Sequence, residues 1–278
     1  LVIPGVTMSD VATFKSQLQT LLGSIRTARP NAPIVLVNMV DIAVMPFFNQ
    51  IKPYIINPAT GAKIYLLGED GPLHDGDFVT LTASAYIKQG FGIPGTGRLL
   101  PEGSFDATGV HAGFVIRASE MALVRSHTAA INAAQAEAAA AVGAKVWDFN
   151  AFANRLATSG YTVGGMKLTL AFLTGGILSY DGVHQQQLGN AVFANELIKL
   201  INREFKGTIP EVNFRPFLGI SASATSVQAA SATLSVEAAK SLIRQFAPGA
   251  LMDRFELPRT IRKRIPAMEP KERAPLPR

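Results

Sequence analysis

A helical stripe followed at once by an unbroken apolar run restricts the fold of this chain more than any other feature. Val11, Phe14, Leu18, Leu21, Leu22 and Ile25 recur at helical spacing, and Thr7 with Asp10 has the form of a capping box. An amphipathic helix is therefore predicted over residues 8 to 27, ended by Arg29-Pro30-Asn31. Pro33 to Val40 is then nearly all apolar, the pattern of a strand buried on both faces in a parallel sheet. Helix, short turn and buried strand make an α/β unit. Its next loop, from Asp41 onward, falls at the carboxyl edge of the sheet, where such folds gather their sites.

Residues 53 to 112 break that rhythm with Asn57-Pro58, Gly61, Gly68, Gly71-Pro72, Gly90, Gly92, Pro94-Gly95 and Gly97. They read as an insertion of a hairpin and irregular loops placed to cover the active-site edge, like a lid. A long helix is expected from about Gly113 to Val142, Ala-rich at its end and closed by Gly143. A strand at Ala144 to Phe149, a helix near Ala151 to Thr158, and an amphipathic helix after His184 follow. The last presents Ala194, Leu197, Ile198, Ile201 and Phe205 on one face. The α/β domain is expected to span residues 1–218. A Ser/Ala/Thr-rich linker at 219–232, an amphipathic helix at 233–250 and a basic Pro-rich tail at 251–278 come after it.

Charge and composition narrow the function. The net charge is +6, but residues 251 to 278 hold eight Lys/Arg against four Asp/Glu, so +4 of the excess lies in the tail. Without a basic face on the domain, nucleic acid is not an expected partner. The tail reads as solvated or associated with a membrane surface. The absence of Cys removes disulfides, thiolate catalysis and Cys-ligated zinc, and no apolar run of transmembrane length occurs.

Chemistry concentrates at Tyr180-Asp181-Gly182-Val183-His184, which sets a carboxylate and an imidazole three residues apart at a loop-to-helix junction. Such an Asp can accept the Nδ1 proton, fix the tautomer and leave Nε2 to take a proton from a serine hydroxyl. The same spacing also occurs as ordinary loop polarity. Other clusters carry less. Glu69, Asp70, His74, Asp75 and Asp77 could hold Ca²⁺, but their spacing fits no defined loop and turn formation is the favoured reading. Gly90-x-Gly92-x-x-Gly95-x-Gly97 lacks the preceding strand and following helix of a dinucleotide fingerprint, and reads as a lid loop. His127 falls within the long helix as a surface or packing residue, and His111 in the insertion. Trp147 is expected in the core. Ser9, Ser84, Ser104 and Ser179 are nucleophiles by composition only, and Ser179 is too close to Asp181 to present its hydroxyl to His184 in line with an oxyanion hole.

The segment Phe172-Leu173-Thr174-Gly175-Gly176-Ile177-Leu178-Ser179-Tyr180-Asp181-Gly182-Val183-His184, with Leu188-Gly189-Asn190, Ala194-Asn195-Glu196, Ile201-Asn202 and Ile209-Pro210-Glu211-Val212-Asn213, resembles the last block of the SGNH (GDSL-type) esterase/lipase family, in its bacterial secreted branch. The likeness continues upstream through Val11-Ala12-Thr13-Phe14, Asn38-Met39-Val40-Asp41, Pro46-Phe47-Phe48, Asn57-Pro58-Ala59-Thr60-Gly61 and Gly76-Asp77-Phe78-Val79-Thr80-Leu81, covering roughly residues 6 to 214. The resemblance implies a three-layer α/β/α, flavodoxin-like fold with a mainly parallel sheet. It also implies carboxylic ester hydrolysis with His184 as general base and Asp181 as its partner, a small-molecule or lipid ester as substrate, no metal or organic cofactor, and an extracellular or cell-envelope location. Two departures stand out. Gln185 replaces the usual Pro after the His, and the family's Gly-Asp-Ser and Gly-x-Asn-Asp blocks, which normally precede the region matched by Val11 to Phe14, are not found ahead of it. With Leu1 in place of Met, the expectation is a chain that is N-terminally incomplete. The alternative is a non-catalytic relic of the fold acting as a binding or structural protein.

Overall fold

Asp10 starts the first helix. Its carboxylate accepts the Thr13 N–H at 2.8 Å, so α1 runs Val11–Ala28 with Asp10 as the cap, one turn later than a Thr7 cap would place it. In this computed structural model residues 8–106, 109–111 and 113–217 are described, so the expected linker, helix and tail beyond residue 218 lie outside the described residues, as does Thr7. The apolar run forms β1 (Val35–Val37), and α2 (Pro46–Asn49) follows its loop.

The insertion contains β2 (Tyr54–Ile56) paired with β3 (Lys63–Tyr65), β4 (Leu67–Gly68) with β5 (Gly71–Pro72), and β6 (Phe78–Val79). After α3 (Ser84–Ile87) come β7 (Ser104–Asp106) paired with β8 (Gly109–His111), then β9 (Val115–Ile116), which pairs back to β6. This region builds its own core from Leu66, Leu73, Val79, Tyr86, Leu100 and Phe114. Arg117 ties it together. Its guanidinium donates to Glu102 and Asp77, whose side chains are 8% and 5% exposed, and to the Gly71 and Pro72 carbonyls. The carboxylates of the Glu69–Asp77 stretch go to separate structural partners: Glu69 accepts from the Glu102 N–H, Asp75 from Lys63, and Asp77 from Arg117 and the Ala118 N–H. That last bond caps the long helix, α4, which spans Ala118–Ala141 and starts five residues later than expected because β9 takes Val115 and Ile116 into a strand.

After α4 come β10 (Lys145–Trp147), α5 (Phe149–Thr158), the hairpin of β11 (Tyr161–Val163) with β12 (Met166–Leu168), and α6 (Gln187–Phe205). β10 is shorter than expected because Asp148 caps α5, accepting the Ala151 N–H at 2.9 Å. The result is a mixed α/β arrangement with small sheets. Among the described residues the only parallel ladder is β1 with β10, in register Val35 to Lys145 and Val37 to Trp147; the other ladders are antiparallel. Leu36 and Val146 pack with Leu22 of α1 and Ala138 of α4 on one face of this pair. On the other, Lys145 pairs with Glu204 of α6, and Trp147 meets Phe152 of α5 and Phe193 of α6.

β1 is not buried on both faces as its sequence predicts. Val37 is 46% exposed and Met39 51%. With a strand neighbour on one side only among the described residues, the outward main-chain groups turn to side chains of α4: Gln135 donates to the Val37 carbonyl, and Asn132 bonds both the N–H and C=O of Met39. No helix among the described residues is long and apolar enough to cross a membrane.

Candidate active site

The loop that leads into α6 is a short antiparallel turn rather than an irregular link. Leu178 bridges Gln185, the Ser179 N–H donates to the His184 carbonyl at 2.7 Å, and the Gln186 N–H to the Ile177 carbonyl at 2.9 Å. This pairing holds the turn closed on both sides of the Asp181–His184 segment. Within the turn, Gly182 sits at φ +72°, and a Cβ there would lie 2.8 Å from the Phe47 nitrogen, so side chains are excluded by both conformation and space. The Phe47 N–H donates to the Gly182 carbonyl at 3.2 Å, joining this loop to α2. Below the turn, Gly189 allows α6 to close on the Ile177 carbonyl, which a Cβ would meet at 2.2 Å.

Asp181 and His184 come together. The Asp181 Oδ2 lies 2.6 Å from His184 Nδ1, with the carboxylate 15% and the imidazole 51% exposed. The other oxygen, Oδ1, accepts from the Val183 and His184 N–H groups at 2.8 Å and from Ser179 Oγ at 2.7 Å. Desolvation pushes the Asp181 carboxyl up, but the hydrogen bonds from Val183, Ser179 and His184 outweigh it, and the net shift is below the usual carboxylate value. The carboxylate is thus held ionised and aimed, with its second oxygen fully engaged in keeping the turn closed.

His184 lines an apolar cavity of about 240 Å³. Its lining comes from the stretch after β1, with Val40, Ile42, Met45, Phe47 and Phe48, from Phe149 at the start of α5, and from Val183 and Gln185 next to the His in sequence. Residues just past the carboxyl ends of both parallel strands therefore form this cavity, as the open α/β plan requires of a site. Its walls are braced from behind. Phe149 packs on Trp147 and Phe193 at ring separations of 5.4 and 5.1 Å. The Val40 stretch is held by polar bonds: Asn38 Nδ2 donates to Asp148, Asn38 Oδ1 accepts from the Asn150 N–H, Asn150 Oδ1 accepts from the Asp41 N–H, and Arg125 pairs with Asp41 at 2.9 Å. Among the described residues, none that lines the cavity comes from the 53–112 insertion, whose described residues pack around a core of their own.

The remaining sequence candidates take other places. Ser179 gives its hydroxyl to Asp181. Ser84 opens α3 with its hydroxyl enclosed and without a hydrogen-bond partner among the described residues. Ser9 is exposed ahead of α1, and His127 is half-buried on α4. The side chains of Ser104 and His111 lie outside the described residues. The loop from Gly90 to Gly97 closes on itself, with Thr96 Oγ1 donating to the Gly90 and Ile93 carbonyls and Arg98 to the Gln89 carbonyl. Asn195, fully buried, clamps both main-chain groups of Val212, and Asn202 does the same to Ile209, so the return segment is fastened along α6.

Sequence reasoning missed Arg117, Asn150 and the cavity walls. Asp148 followed by Asn150 was a visible capping signal, but nothing in the linear pattern placed Phe149 opposite Val40. Protein-family models, curated proteins and solved structures all give no match to this chain.

Proposed function

We propose that this chain carries the Asp–His half of an SGNH-type serine ester hydrolase, built on a three-layer α/β/α plan. The supporting observation is the 2.6 Å contact of Asp181 with His184 Nδ1 at the edge of an apolar cavity. In this reading a serine from the sequence ahead of residue 11, where the family pattern puts its nucleophile block, attacks the ester carbonyl while His184 Nε2 takes the hydroxyl proton. The tetrahedral intermediate collapses as His184 returns that proton to the leaving alkoxide. Water then attacks the acyl-serine with His184 again as base, and the imidazolium returns that proton to the leaving serine oxygen as the acid is released. Asp181 keeps the imidazole oriented and stabilises the imidazolium formed in each half-reaction.

Hydrolysis of p-nitrophenyl butyrate tests this reading. The 278-residue chain is expected to be no faster than its His184→Ala variant. A chain extended by its upstream sequence is expected to be active, with His184→Ala costing on the order of a thousandfold or more and Asp181→Asn one to two decades less. Full activity in a correctly folded His184→Ala variant of the extended chain overturns the mechanism.

A further inference from the structure

The segment that forms β1 has the composition of one that pairs with copies of itself. Ile34-Val35-Leu36-Val37-Asn38-Met39 carries no charge and no Pro and is rich in β-branched residues, the pattern from which identical segments stack strand on strand. The bonds to β10 show which edge is open. The Lys145 N–H donates to the Ile34 carbonyl at 2.9 Å and the Asn38 N–H to the Trp147 carbonyl at 3.3 Å, so Ile34, Leu36 and Asn38 turn their main-chain groups to β10. Those of Val35, Val37 and Met39 face the other way, where no strand lies among the described residues. An uncharged open edge of this kind is a template for a second chain.

Two side chains of α4 stand where that strand would be. Asn132 Oδ1 accepts the Met39 N–H and Asn132 Nδ2 donates to the Met39 carbonyl, both at 2.8 Å; one turn on, Gln135 Nε2 donates to the Val37 carbonyl at 3.0 Å. A primary amide carries the donor and acceptor of a peptide group. Asn132 therefore makes with Met39 the reciprocal pair of bonds that a residue of an antiparallel neighbour would make. Gln135 is buried, so packing holds its amide in place. We infer that Asn132 and Gln135 act as a substitute strand, closing the outward edge of β1 to β1 of a second copy of this chain. With both amides removed, the two edges pair antiparallel about a two-fold axis with Val37 opposite Val37.

The 278-residue chain carrying both Asn132→Ala and Gln135→Ala tests this, since Ala keeps α4 helical. Sedimentation at rising concentration is expected to show constant mass for the wild-type chain and a doubling of mass for the double variant. Adding Val37→Lys to the double variant should return the wild-type mass, because it sets like charges opposite each other across the paired edges. Gly61→Ala, destabilised with nothing near its added methyl, should sediment as the wild-type chain does. Hydrogen exchange at the Met39 amide should be about tenfold faster in the dilute double variant, where its bond to Asn132 is gone, and slow again as copies associate. Should the double variant not fold, Gln135→Ala alone is expected to give a weaker association with the same reversal by Val37→Lys. A folded double variant that keeps the wild-type mass overturns the inference, and so does association that Val37→Lys leaves in place. Association of the wild-type chain that Val37→Lys abolishes also overturns it, because the edge would then be open with both amides present. None of these outcomes depends on ester hydrolysis.

Discussion

Replacing Gly182 by Ala should distort the turn that holds Asp181 and His184. Two costs add. At φ +72° an L-residue occupies the left-handed region, worth about 1–2 kcal/mol. The new Cβ would also lie 2.8 Å from the Phe47 nitrogen and 3.4 Å from its Cα, both backbone atoms, so the turn must move away from α2. That displacement weakens the 3.2 Å hydrogen bond from the Phe47 N–H to the Gly182 carbonyl, a further ~0.5–1.5 kcal/mol. The sum is about 1.5–3.5 kcal/mol, or roughly 3–14 °C in Tm for a domain of this size. Gly61 supplies the control. It sits at φ +71° with nothing within 4 Å of an added methyl, so Gly61→Ala carries the same conformational cost alone, about 1–2 kcal/mol. Urea unfolding followed through the fluorescence of Trp147, the sole tryptophan, measures both variants in one assay. Equal losses at the two glycines would refute the argument, because they would mean that the approach of the turn to Phe47 costs nothing.

Arg117→Ala is expected to destabilise by about 3–5 kcal/mol, since it leaves Glu102 and Asp77 buried without their cation, whereas Arg117→Lys restores charge but not the forked contacts and should fall between. Hydrogen exchange should place that loss in the insertion and the first turn of α4, and uniform loss of protection throughout the chain would contradict it. Against desolvation, the Asp181 carboxyl is held below the usual carboxylate range by its hydrogen bonds, so the stability it contributes is present above its unfolded value and disappears as pH falls through the folded one. The gap in urea midpoint between the wild-type chain and Asp181→Asn should therefore be constant above about pH 5 and shrink toward pH 2. A gap independent of pH would show that the Asp181 bonds do not favour the ionised form.

The order of elements was legible in the sequence because it depends on local signals. Apolar periodicity marked α1 and α6, an apolar run marked β1, and Gly143 marked the end of α4. The Asp181–His184 pair was legible for the same reason: three residues of one tight turn bring the two side chains together with little help from the rest of the fold. Boundaries shifted wherever a distant group intervened. Asp77, forty-one residues away in sequence, caps α4 at Ala118, and pairing with β6 takes Val115 and Ile116 out of the helix. Burial was less legible still. The run from Pro33 to Val40 encodes hydrophobicity but not how many strands flank it, and with β10 on one edge and Gln135 and Asn132 on the other, Val37 stays half exposed. Only tertiary structure decided that Val40, Phe47, Phe149 and Val183 would share a cavity with His184, because the loop after β1 and the start of α5 meet there through the parallel pairing of two strands over a hundred residues apart. A pattern of side chains along one segment specifies which face is apolar; which apolar faces meet is set by the packing of the whole chain.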